Sequence, residues 1–127
     1  MKLLIAEDHD GTRGLIKRML ADFASEIYEC RDGAEALAIY STRQPDWVLM
    51  DIQLVGLNGL AATRQIIAAW PQAKIMIVTD YDDDELREAA QQAGACEYVT
   101  KENLLDVCRI LLRVDQPTGS IAEAEAD

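Results

Sequence analysis

The stretch Asp46-Trp47-Val48-Leu49-Met50-Asp51 decides the fold. Four consecutive apolar residues between turn formers read as a strand buried on both faces, the pattern of a parallel sheet with helices above and below it. Asp51 stands where that strand runs out, ahead of the loop Ile52-Gln53-Leu54-Val55-Gly56-Leu57-Asn58-Gly59. Open parallel sheets bind ligands in the crevice at the carboxyl ends of their strands. A carboxylate placed there is a nucleophile, a metal ligand or the cap of whatever follows, and the reading carried forward is nucleophile.

Working outward, Leu3-Leu4-Ile5-Ala6 and Ile75-Met76-Ile77-Val78 repeat the continuous apolar pattern of a central strand. Ile27-Tyr28-Glu29-Cys30 and Cys96-Glu97-Tyr98-Val99 mix polar with apolar residues and read as edge strands. Leu15, Ile16, Met19, Leu20 and Phe23 recur at helical spacing after the first strand, with Thr12 or Asp10 as the cap. Asp32-Gly33-Ala34-Glu35 has capping-box spacing and opens a second helix through about Thr42. A third helix spans Leu60 to Trp70 and stops at Pro71. Asp82, Asp83, Asp84 and Glu85 fill the first turn of a fourth, where carboxylates favour the positive end of the helix dipole, and Gly94 closes it. Glu102 to Val114 makes the fifth.

The sum is an α/β domain, a doubly wound (βα)5 chain of flavodoxin type around a five-stranded parallel sheet. Right-handed crossovers with strands two and five at the edges give the order 2-1-3-4-5. The domain is expected over residues 1–115, with 116–127 a flexible acidic tail.

Composition narrows the classes of function. Half of the 127 residues are apolar and 28% are charged, the balance of a globular domain. The formal net charge of −11 argues against direct nucleic-acid binding, which needs a basic face to neutralise phosphates. No apolar run approaches the ~20 residues of a membrane span, and Met1-Lys2-Leu3-Leu4 leads into acids rather than a signal-peptide core. Cys30, Cys96 and Cys108 lack the spacing of a zinc site or a disulfide framework. The expected location is the cytoplasm.

Polar residues stand at the ends of four strands: Glu7-Asp8 after the first, Asp51 after the third, Thr79 after the fourth and Lys101 after the fifth. In a parallel sheet these ends share one edge, so residues far apart in sequence converge. Three carboxylates crowded to ~4 Å would repel by roughly 4 kcal/mol per pair at an effective dielectric of ~20. Such a cluster takes up protons or holds a cation, and hard oxygen donors with room for water suit Mg²⁺. With a cation beside it, Asp51 is placed to accept a phosphoryl group, Lys101 to pair with Asp51 or the phosphoryl, and Thr79 to donate to a phosphoryl oxygen.

Glu7-Asp8, Asp51, the loop to Gly59, Thr79, Tyr98 and Lys101, in this order and spacing, resemble the receiver domain of bacterial two-component response regulators, over Lys2 to Val114. The resemblance implies a signalling domain rather than an enzyme, with Asp51 taking phosphate from a sensor histidine kinase. It further implies Mg²⁺, with Mn²⁺ as a substitute, on Asp8, Asp51 and the Gln53 backbone carbonyl, with Glu7 supporting the ion through its water. Thr79 and Tyr98 become the switch pair, the hydroxyl moving to the phosphoryl as the ring turns inward.

Three positions depart from the pattern that the resemblance brings: Val55 and Glu102 stand where proline is common, and Asp80 follows the switch threonine where a small residue is common. Asp80 leaves open a degenerate receiver that binds partners without phosphorylation. The bulk of Tyr81 leads to the expectation of slow autodephosphorylation. An aspartate-nucleophile phosphatase would need a second Asp two residues past the first, where Gln53 stands, and no glycine-rich nucleotide motif is present. His9 reads as an exposed bystander. In the last helix Leu104, Val107, Cys108 and Leu111 make one stripe, with Leu105 and Leu112 beside it and Arg109 and Arg113 interleaved. That width reads either as a broad buried face or as a homodimer or output surface shared with the fourth helix.

Overall fold

The computed structural model describes residues 1–115, so the expected tail at 116–127 lies outside the described residues. In chain order the elements are β1 (Lys2–Ala6), α1 (Asp10–Leu20), β2 (Glu26–Cys30), α2 (Gly33–Arg43), β3 (Trp47–Met50), α3 (Gly59–Ala69), β4 (Ile75–Thr79), α4 (Asp84–Ala93), β5 (Glu97–Thr100) and α5 (Leu105–Asp115). All strand pairs are parallel, in the order β2-β1-β3-β4-β5, as the apolar pattern predicts.

Alternation along the strands divides the core into two layers. Leu4, Ala6, Val48, Met50, Ile75 and Ile77 face one side, where Ala36 and Tyr40 of α2, Ala62 and Ile66 of α3 and Ala90 of α4 cover them. Leu3, Ile5, Trp47, Leu49, Met76 and Val78 face the other, under Ile16 and Leu20 of α1 and Val107, Ile110 and Leu111 of α5. Every residue of β3 and β4 is buried, whereas β2 and β5 keep partly exposed positions, as edge strands do. The covering layers fix the strands so that their carboxyl tips form one rigid rim.

The helix boundaries correct the sequence reading in three places. The N-cap of α1 is His9, not Thr12 or Asp10: its Nδ1 accepts the Thr12 N–H at 3.1 Å and faces the Thr12 hydroxyl at 3.0 Å. An imidazole nitrogen carrying a lone pair does what a capping oxygen does, so His9 is exposed yet not a bystander. Only Asp84 and Glu85 occupy the first turn of α4, because Asp83 is its N-cap, accepting from the Glu85 and Leu86 N–H groups. Asp82 lies outside the helix and pairs with Arg87. The fifth helix does not begin at Glu102: a 3-10 turn over Lys101–Asn103 precedes it, which leaves Lys101 at the tip of β5. In the box that opens α2, Asp32 caps the Ala34 N–H at 2.7 Å while Glu35 reaches back to Arg31 rather than Asp32.

The broad apolar face of α5 also resolves. Val107 and Leu111 are buried, as is Ile110, while Leu105 and Leu112 stand 65% and 49% exposed. The buried stripe docks the helix, and the two leucines beside it remain in solvent. Among the described residues, no helix is long and apolar enough to cross a membrane.

Candidate functional site

Glu7 and Asp51 arrive at the rim on adjacent strands. The sheet ladder continues one step past each strand: the Glu7 N–H donates to the Cys30 carbonyl and the Asp51 N–H to the Ala6 carbonyl, both at 3.0 Å. Glu7 is pinned further, since its Oε2 accepts the His9 N–H at 3.1 Å and its carbonyl accepts from Arg13 Nη1 at 2.9 Å. Behind Asp51 the loop returns tightly, with the Gly59 N–H bonded to the Ile52 carbonyl at 2.8 Å. A Cβ at residue 59 would lie 1.8 Å from the Asp51 carbonyl oxygen, so only glycine lets α3 start this close to the rim.

Glu7, Asp8 and Asp51 each offer a carboxylate oxygen, and these oxygens lie within 4.8 Å of one another. Lys101 reaches in from β5, with Nζ 2.7 Å from Glu7 Oε1 and 3.0 Å from Asp51 Oδ2. Asp80 Oδ2 is 4.0 Å from the same nitrogen, but its side chain is 74% exposed. The Asp80 carboxylate therefore sits at the mouth and does not fill the site.

Charge is unbalanced within this cluster. Burial pushes the Asp51 carboxyl up from 3.8 to about 6, the neighbouring Glu7 carboxylate pushes the same way, and the Lys101 hydrogen bond and the Gln53 N–H oppose them. Lys101 moves upward as well: burial pulls it down, and the hydrogen bonds to Glu7 and Asp51 outweigh that. One ammonium against three carboxylates, two of them buried, leaves a surplus of negative charge. That donor set, all oxygen and partly open at Asp8, fits a hard divalent cation.

Thr79 ends β4 beside this group. It is fully buried, and its Oγ1 has no hydrogen-bond partner among the described residues. A buried hydroxyl costs free energy until something accepts its proton, so Thr79 waits for an acceptor. Tyr98 of β5 points its hydroxyl outward, donating to the exposed Tyr81 carbonyl at 2.7 Å, while its partly buried ring packs against the edge of the core. Glu7, Asp8, Asp51 and Lys101 thus converge as their strand-end positions predict. Gln53 lies on the exposed loop just past Asp51. Sequence reasoning missed Arg13 and Arg87, the second of which stacks on Tyr98, since helix positions alone do not reveal what a long side chain will reach.

Comparison with known proteins gives this geometry a context. The family described as response regulator receiver domain matches residues 3–113. The chain belongs to that family. This receiver is 37% identical over 103 residues to the response regulator GacA of Pseudomonas aeruginosa, covering 80% of the chain and 48% of the relative. It spans about half the length of the curated relatives it matches. Among solved structures, the BeF3-activated N-terminal receiver domain of Klebsiella pneumoniae RstA superposes with a TM-score of 0.82 at 26% identity, covering 91% of this chain and 100% of that one. The receiver domain of the sensor histidine kinase PA1611 from Pseudomonas aeruginosa, with a magnesium ion coordinated in its active site cleft, gives 0.79 at 29% identity over 88% and 94% of the two chains. A receiver is a signalling domain rather than a classical enzyme, and its acidic strand tips are where such domains hold Mg²⁺.

Proposed function

We propose that Asp51 is the phosphoacceptor of a two-component relay, taking its phosphoryl group from the phosphohistidine of a sensor histidine kinase in the cytoplasm. A carboxylate oxygen of Asp51 attacks phosphorus in line, the new C–O–P linkage forms as the P–N bond of the donor breaks, and the departing imidazole keeps the electron pair. The observation that carries this reading is the buried Asp51 carboxylate held at 3.0 Å by Lys101 among acids it cannot neutralise. Lys101 passes from Asp51 to the phosphoryl oxygens as charge grows there. The unpartnered Thr79 hydroxyl gains an acceptor in the same event.

Asp8, Asp51 and the Gln53 backbone carbonyl are the proposed ligands of Mg²⁺, or of Mn²⁺ in its place, with Glu7 supporting it through water. The ion would supply positive charge opposite the phosphoryl oxygens. Phosphorylation adds ~1.5 to 2 negative charges to the rim and shifts a two-state population, with Tyr98 turning inward as Thr79 is drawn to the phosphoryl. The output proposed is control of transcription, through a partner or a second copy docking on α4 and α5, where Leu105 and Leu112 are exposed. A receiver that works without phosphorylation finds no support in Asp80, which stands in solvent at the mouth.

The test is incubation with acetyl phosphate and Mg²⁺, followed by intact mass. The wild-type chain should gain one phosphoryl group and Asp51→Asn none; a wild type that gains nothing, or a variant that gains as much, would overturn the assignment.

A further inference from the structure

Tyr98 is held in its outward position from two sides. Its hydroxyl is anchored on the Tyr81 carbonyl, and the Arg87 guanidinium carbon lies 4.5 Å from the centre of its ring. The guanidinium is itself fixed, because Nε and Nη2 of Arg87 donate to Asp82 Oδ1 at 3.2 and 3.0 Å. The root of the side chain is held too: the Arg87 N–H bonds the carbonyl of the α4 cap residue Asp83 at 2.9 Å. Two other cations stack on rings among the described residues, Arg43 on Tyr28 at 5.6 Å and Lys74 on Trp47 at 5.3 Å. The Arg87 stack is shorter than either, and of the three it is the one whose cation is also paired with a carboxylate. Arg87 and Tyr98 together line a cleft of about 490 Å³ between α4 and β5, with Gln91 and Cys96 further along it.

We infer that Arg87 is a positioning residue that clamps the Tyr98 ring outward, and that the Asp82–Arg87 pair thereby sets how readily this receiver switches. The inference rests on the reading of Tyr98 as the switch aromatic. A ring turning inward gives up the hydroxyl bond and the stack together, whereas Asp82 and Arg87 keep each other in either state. The stack therefore weights the outward state specifically. A cation over a partly exposed ring shifts a two-state population by roughly two- to fivefold. Among the described residues Arg87 pairs with Asp82 and with none of the strand-tip carboxylates, so its effect on the site runs through the ring.

The experiment uses the whole chain with beryllofluoride and Mg²⁺ as the probe, together with the NMR signals of the Tyr98 ring. Arg87→Met keeps the aliphatic stem and removes the cation. Without ligand its Tyr98 ring signals should move toward those of the beryllofluoride-bound wild type, and with the probe its apparent affinity should rise roughly two- to fivefold. Asp82→Asn, which frees the guanidinium but leaves the stack, should act in the same direction and less strongly, and Arg87→Lys should restore part of the wild-type behaviour. In a Tyr98→Ala background, Arg87→Met should change nothing further. A simple charge effect has the opposite sign, since removing a cation weakens binding of an anionic probe. Unchanged ring signals, unchanged or weaker binding, or an equal gain in the Tyr98→Ala background would each overturn the inference. A wild-type protein that fails to bind the probe would instead remove the phosphoacceptor reading; ligand-free Tyr98 ring signals that are the same in Arg87→Met and wild type would by themselves overturn the role of Arg87.

Discussion

The two edges of one sheet treat charge in opposite ways. At the amino edge, Asp46 Oδ2 accepts the Lys2 N–H at 2.7 Å and the Lys2 ammonium sits 3.9 Å from Glu26, all in solvent. Charges there keep their hydration, so pairing them adds little. At the carboxyl edge the Glu7 and Asp51 side chains are 3% and 7% exposed, and the charges around Lys101 do not cancel. The same backbone ladder runs to both edges. What differs is that helix starts and glycine-tight loops close over one of them, and the closed edge holds a surplus of negative charge that a divalent cation would offset.

The largest effect that sharpens this contrast is on chemistry: Asp51→Asn should lose phosphoryl transfer entirely, whereas Asp46→Asn at the other edge should be phosphorylated at the wild-type rate, measured with acetyl phosphate. Next comes the platform between the edges. Ile77 is fully buried in the central strand β4, so Ile77→Ala should cost about 3 to 4 kcal/mol in urea unfolding. A loss below about 1 kcal/mol would mean that the strands are not the rigid support that holds the tips together.

The surplus of charge should then appear as a pH dependence of opposite sign to the usual carboxylate. Asp51 titrates near 3.8 when unfolded and at about 6 when folded, so between these values the native state holds the proton more tightly. Its contribution to stability is therefore lost as pH rises through that window, and the penalty is complete above it. Asp51→Asn should be more stable than wild type by roughly 1 to 3 kcal/mol at neutral pH, with the advantage shrinking toward pH 4. Lys101 keeps Glu7 as a partner in that variant. Mg²⁺ should raise the wild-type melting temperature more than that of Asp51→Asn. A variant less stable than wild type at neutral pH would break the contrast between the edges.

A smaller effect concerns lifetime. Tyr81 is 43% exposed beside the site mouth, and its carbonyl anchors Tyr98. Tyr81→Ala should lose its phosphoryl group a fewfold faster than wild type by phosphate release; an equal rate would remove Tyr81 as a shield against water. The smallest effect is again at the amino edge, where Asp46→Asn should change stability by less than about 0.5 kcal/mol.

The sheet order and the convergence at its rim were legible because they depend on one-dimensional signals. Trp47 to Met50 and Ile75 to Val78 are apolar without interruption, and a parallel topology then puts Asp51, Thr79 and Lys101 on one edge whatever separates them in sequence. Details that depend on reach were not legible. The His9 cap depends on which ring nitrogen carries a lone pair, and the reach of Arg87 from α4 to both the Tyr98 ring and Asp82 depends on side-chain conformation rather than on spacing. The turn at Lys101–Asn103 has the composition of an ordinary helix start, so the 3-10 turn ahead of α5 was not legible either. The outward pose of Tyr98 was equally invisible, since an edge-strand tyrosine fits either side.

The most direct measurement is the position of the phosphoryl group itself. Phosphorylated protein reduced with borohydride, which converts an acyl phosphate to an alcohol, and then mapped by peptide mass should carry the change at Asp51 and nowhere else. A change at Asp8 or Asp80, or no reducible linkage in a chain that has taken up phosphate, would contradict the account.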